Sequence, residues 1–187
     1  MLRYRWMLVA VVDSLLAGSE VGASPYGLHR VPLTTLYQPQ HGPIGLVVKA
    51  RANDGPPLRL LLDSGADHLT LDSKAARRSG LVAREDLDIV GAGATTRPAR
   101  FATAERVQVG DLILHDCSVV IVEGEIAEGI DGVIPLSLFN AFSIQLDIPR
   151  RVLDLYPYSS HHDDGGFIKV FARGNLLFVR TDRKSVV

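Results

Sequence analysis

Three leucines run straight into an acid, a hydroxyl residue and a glycine at Leu60-Leu61-Leu62-Asp63-Ser64-Gly65-Ala66-Asp67. An aliphatic run cut off by small and polar residues reads as a buried strand that ends in a tight turn. The turn carries a carboxylate at its tip. Burying a carboxylate is costly unless it is hydrogen-bonded or used. A fold for this chain must bury the leucines and still hold Asp63 at the mouth of the strand.

The flanking sequence supplies the partners such a strand needs. Ile44 to Ala50 reads as a strand, Asn53-Asp54-Gly55-Pro56-Pro57 as a turn, and Leu58 to Leu62 as the return strand. Leu69-Thr70-Leu71 suits a short strand. Asp72 to Gly80 reads as a short helix, capped by Asp72 or Ser73 and stopped by Gly80. Ser24 to Gly42, spotted with Pro and Gly, reads as extended chain. Further strands are expected at Phe101–Val109, Leu112–Leu114, Cys117–Val122, Ser143–Ile148 and Val152–Leu155, with a helical turn over Ser137–Phe142. Many short strands with one or two short helices predict an all-β domain, a compact closed β-barrel.

Composition narrows the function classes. Hydrophobic residues make up 47% of the 187 and charged ones 22%, which suits a globular core. The formal net charge of −1 gives no basic excess of the kind a nucleic-acid partner requires. Cys117 is the single cysteine, so no intrachain disulfide forms, and its apolar surroundings make it a small core residue. His161-His162-Asp163-Asp164 lies in a stretch with linker composition and reads as solvated linker rather than as a metal site.

Taken together, residues from about 31 to 156 resemble the bacterial retropepsin-like aspartyl proteases. The resemblance rests on an ordered set. A hairpin leads into Asp63-Ser64-Gly65-Ala66-Asp67-His68-Leu69-Thr70-Leu71-Asp72. A glycine-containing hairpin follows at Gly91-Ala92-Gly93-Ala94, then Asp131-Gly132-Val133-Ile134, a short helix, and the hairpin Leu146 to Leu153. One departure stands out: Pro135 occupies a position where these enzymes usually carry glycine. The resemblance implies a retropepsin-like acid-protease lobe that cleaves peptide or protein substrates without metal or cofactor. Asp63 would then be one member of a catalytic dyad. Two close carboxylates share one proton, so that one acts as base toward water and the other as acid toward the carbonyl oxygen. Ser64, Gly65 and Ala66 would support the loop. Asp67, Gly91, Ala92 and Gly93 would meet substrate, the last three as the tip of a hairpin over the cleft, although an ordinary turn explains each of them equally well. Asp111, Asp116, Asp131 and Asp147 are expected in structural roles.

One such motif supplies one carboxylate. The second is expected from another copy of the chain, on a two-fold axis, or from a second lobe opened by Phe167 to Val179. The competing reading is a non-catalytic module of the same fold that binds peptides or dimerises. A weaker one is an unrelated β-barrel binding domain with Asp63 in a surface turn. At the N-terminus, Arg3 and Arg5 precede an apolar stretch and the small residues Val21-Gly22-Ala23. Residues 1–23 therefore read as a signal peptide, too short and broken for a membrane span, and the protein is expected to be exported, periplasmic or extracellular. The protease domain is expected over 24–158, and a linker with the start of a truncated second lobe over 159–187. Residues 182–187 are expected to be artefactual, because the codons GAT CGG AAG AGC GTC GTG would encode them and match the start of a common sequencing adapter.

Overall fold

The computed structural model describes residues 7–10, 27–90, 96–157, 168–173 and 176–179. The strands are β1 (Met7–Ala10), β2 (His29–Gln38), β3 (Gly42–Ala52), β4 (Leu58–Asp63), β5 (Leu69–Asp72), β6 (Glu85–Val90) and β7 (Thr96–Val109). They continue with β8 (Leu112–Val122), β9 (Gly132–Pro135), β10 (Phe142–Asp147), β11 (Val152–Pro157), β12 (Ile168–Arg173) and β13 (Leu176–Val179). One α-helix, α1 (Ser73–Arg78), and a 3-10 turn at Leu136–Phe139 complete the described chain. The mostly β expectation holds.

The alternating strands around Asp63 close on themselves. β3 pairs with β4, β4 with β9, β9 with β5, β5 with β8, β8 with β7, and β7 returns to β3 through Ala50 opposite Val109 and Ala52 opposite Val107. Inside this ring lie Leu58, Leu60, Leu69, Leu71, Val119, Ile134 and Phe139, each at most 2% exposed. Burying a leucine or phenylalanine side chain contributes roughly 1.5–3 kcal/mol, so this set is the main source of stability near the site.

Several strands differ from the sequence reading: β6 and β9 are not expected from it, β7 begins at Thr96 rather than Phe101, and β2 and β8 differ in extent. Ser24 to Gly42 contains the ten-residue strand β2, paired with β3 on one side and β11 on the other. Its first residue, His29, is buried edge-on to Phe142 at 5.5 Å, and Asp111 Oδ1 lies 3.2 Å from Nδ1 without the alignment of a hydrogen bond. The segments at Leu112 and Cys117 form one strand. Asp116 takes φ 52° in the middle of β8, yet the register against β7 is the same on either side, with Arg106 opposite His115 and Ala104 opposite Cys117. Cys117 is buried at 2% exposure, and burial first, then Asp116, pushes its thiol up to about 11.

The helix is as read. Asp72 caps it, with Oδ1 accepting from Ala75 N at 2.6 Å, and Gly80 follows it at φ 65°. β1 pairs antiparallel with β10 and parallel with β12, which pairs with β13. Among the described residues no helix is long and apolar enough to cross a membrane.

Candidate active site

The loop after β4 is built around its own carboxylate. Asp63 ends the strand half-buried, and its Oδ1 accepts a hydrogen bond from Gly65 N at 2.7 Å. This bond fixes the carboxylate direction from within the loop. Ser64 and Gly65 are exposed and Ala66 is half-buried. Asp67 and His68 follow, both exposed. The loop then turns into β5, where Thr70 Oγ1 donates to the His68 carbonyl at 3.2 Å.

What holds the loop is a strand from far along the chain. β9 lies between β4 and β5, parallel to β4 and antiparallel to β5. Leu60 faces Gly132 and Asp63 faces Pro135, while Leu71 faces Gly132 on the other side. Gly132 is tightly enclosed there. A Cβ on it would stand 2.2 Å from the Thr70 carbonyl oxygen and 2.7 Å from Leu71 Cδ2. Contacts that short do not occur, so only glycine fits the middle of this three-strand unit. Pro135 fits as well as glycine would. It closes β9 with φ −76° and ψ 148°, inside the range its ring imposes, and opens the 3-10 turn.

Asp131 fastens the start of β9. Its Oδ2 accepts from Arg59 N at 2.8 Å and its Oδ1 from Arg78 of α1, while backbone bonds join it to Arg59 and Asp72. Sequence reasoning expected a structural role for Asp131 but had no means to name Arg59 and Arg78 as its partners. Asp147 likewise caps a turn, accepting from Arg150 N at 2.9 Å.

One row of paired residues crosses the sheet beside Asp63. Val47, Leu61, Val133, Thr70, Val120, Phe101 and Glu85 stand opposite one another in turn. Directly paired residues share a face, and so do residues two apart on one strand, which puts Asp63 on the face of Leu61. Leu61, Val133, Thr70 and Phe101 are only half-buried. The His68 ring meets Phe101 edge-on at 5.6 Å, joining the loop to β7. The sequence held a weak signal for this face: alternation in β7. Gly91, Ala92 and Gly93 lie outside the described residues, as do His161 to Asp164. Among the described residues no group of three or more His, Cys, Asp or Glu is placed to hold a metal ion.

A strand ending in a loop-fixed carboxylate, with a distant glycine-led strand inserted beside it, defines a β lobe with one carboxylate at its mouth. Residues 48–138 match the family model described as aspartyl protease. Over those residues, just under half of the chain, it is similar to that family. Among solved structures it is similar to a retropepsin-like aspartic protease from Rickettsia conorii, at 16% identity and TM-score 0.49, covering 76% of this chain and 98% of that one. It is also similar to a retroviral protease-like domain from Leishmania major, at 16% identity and TM-score 0.43, covering 60% and 92%. An aspartic proteinase from Irpex lacteus is matched at 16% identity and TM-score 0.39, over 76% of this chain and 49% of that one. No curated protein matches the chain.

Proposed function

We propose that the chain is one lobe of an aspartic-type endopeptidase, with Asp63 as its contribution to a pair of aspartates. The observation that carries this reading is the Gly65 N–H held on Asp63 Oδ1, at the end of a strand braced by β9. A second lobe, from another copy of the chain or from further sequence, supplies the other carboxylate. One carboxylate takes a proton from water as it attacks the peptide carbonyl, and the other protonates the oxygen that gains charge. Two close carboxylates share one proton over the acid range, so the pair titrates as a unit.

The half-buried apolar row supports an extended peptide as substrate. Leu61, Val133 and Phe101 offer apolar contacts along the face that carries Asp63. Ser64 and Ala66 keep the loop small, and Asp67 stands beside the path a peptide would take. In the same proposal the protein is exported and acts outside the cytoplasm.

Cleavage of an apolar reporter peptide near about pH 4 to 5, where such pairs hold one proton, tests the reading. Asp63→Asn is expected to abolish it while the protein stays folded. Intact cleavage in that variant would sink the proposal. Sedimentation of the active species distinguishes a homodimer from a longer chain as the source of the second carboxylate.

A further inference from the structure

Charge is unevenly distributed along this chain. With 20 Lys and Arg against 21 Asp and Glu, the two signs nearly balance overall. Yet β3, β4 and α1 together hold six cations, Lys49, Arg51, Arg59, Lys74, Arg77 and Arg78, and a single acid, Asp63. All six cations are exposed. The opposite bias marks β6, with Glu85, Asp86 and Asp88, and the segment from Glu123 to Glu128, with three glutamates; neither holds a Lys or Arg.

Strand pairing gathers the cations. Lys49 stands directly opposite Arg59 across the β3–β4 ladder, and Arg51 shares that face two residues further along β3. Like charges placed directly opposite one another are destabilising unless an anion offsets them. Asp131 joins this pair to the helix, since its Oδ2 accepts from Arg59 N and its Oδ1 from Arg78. Lys74, four residues before Arg78, lies on the same side of α1. Among the described residues Asp131 is the only acid ion-paired with any of the six, and its ion pair is with Arg78. Arg51 gives one donor to the Gly55 carbonyl at 3.1 Å. Lys49, Arg59 and Lys74 therefore form a basic strip that this chain's own described acids do not neutralise.

We infer that this strip, from Lys49 and Arg59 across to Lys74, is a docking surface for a short acidic segment of a partner polypeptide. The occupant follows from charge and size. Four of the six cations are Arg, whose planar guanidinium holds a carboxylate through two parallel hydrogen bonds. The strip is narrow, because side chains directly opposed across a ladder stand only about 5 Å apart. A short acidic chain laid on it meets cations within the roughly 8 Å over which charge acts at physiological salt. A bilayer or a long nucleic acid would also meet the acids of β6 and of Glu123 to Glu128, and a net charge of −1 gives it no overall attraction. The inference goes beyond the proposed endopeptidase and does not depend on it, since docking here needs no chemistry at Asp63.

The test uses the full chain and a labelled peptide alternating Glu with Gly, followed by fluorescence anisotropy, beside the same peptide with Lys in place of Glu. The chain is expected to bind the Glu peptide and not the Lys peptide, with affinity falling as salt is raised. Lys49→Gln, Arg59→Gln and Lys74→Gln together are expected to weaken binding about tenfold, the summed scale of three exposed ion pairs. Arg97→Gln, Arg106→Gln and Arg150→Gln, which make the same change in net charge elsewhere, are expected to weaken it less than about twofold. Absence of binding by the wild-type chain overturns the inference. Equal weakening in the two triple variants also overturns it, because net charge alone would then explain the affinity. So does tighter binding to phosphatidylglycerol vesicles that the first triple variant loses, because the strip would then serve a lipid surface. Circular dichroism checks the fold of each variant. Should the first triple variant not fold, Lys74→Gln alone, at an exposed helix position, is expected to weaken peptide binding about twofold, and an unchanged affinity overturns the inference.

Discussion

The backbone of Thr70 and the α-carbon of Gly132 are so close that a single methyl on Gly132 would stand 2.2 Å from the Thr70 carbonyl. This contact brings β5 and β9 together beneath the Asp63 loop. Gly132→Ala is therefore expected to cost about 1–3 kcal/mol through overpacking. Urea denaturation measures it. A midpoint equal to wild type would mean that the strands have room this geometry denies them.

The Asp131 carboxylate joins the start of β4 to α1, so its loss is expected to be felt more than the loss of either partner side chain. Asp131→Ala leaves Arg59 N without its acceptor and is expected to cost about 1–3 kcal/mol. Arg78→Ala removes one ion pair with a half-exposed guanidinium and is expected to cost no more than about 1 kcal/mol. Chemical denaturation of both variants, side by side, checks the order.

Pro135 already has the backbone angles its ring demands. Replacing it by glycine adds freedom to the unfolded chain and is expected to lower stability by about 0.4–1 kcal/mol. Peptide cleavage, where measured, is expected to survive the change. A Pro135→Gly chain that gains activity strongly would show that the proline distorts the loop opposite Asp63.

Cys117 carries a pH dependence with a definite sign. Burial raises its thiol from 9.0 to about 11, so the folded protein keeps a proton that the unfolded chain releases first. Stability linked to this group is present below pH 9 and is lost as pH rises from there toward about 11. Cys117→Ala is expected to flatten that part of the alkaline stability profile, although it is less stable at neutral pH. Alkylation of wild-type thiol is expected to be slow at pH 8 and fast on unfolding.

The sequence made the immediate surroundings of Asp63 legible because they are local. The hairpin, the turn at Asn53, the Asp72 cap and Gly80 all depend on neighbours within a few residues. What escaped depends on distance. β2 was readable only as extended chain because its pairing with Leu153 and Leu155 spans most of the domain. β8 looked like two strands because Asp116, with its positive φ, interrupts the apolar run while the ladder continues. Within the site, the motif marked Asp63 and Gly65. The Arg78 contact to Asp131, across 53 positions, and the His68 contact to Phe101 could be seen only once the strands were paired.

Inserting β9 between β4 and β5 also sets a schedule for synthesis. Asp63 emerges from the ribosome long before Pro135, its neighbour across the ladder, which lies 72 positions later (135 minus 63). Until that later segment arrives, β4 and β5 have no strand between them and the Asp63 loop has nothing to brace it. Non-local pairings of this kind form late and slowly. A growing chain thus carries its carboxylate in an unassembled form while those 72 positions are added. The Asp63 loop therefore reaches its final setting only after a segment far along the chain has been made.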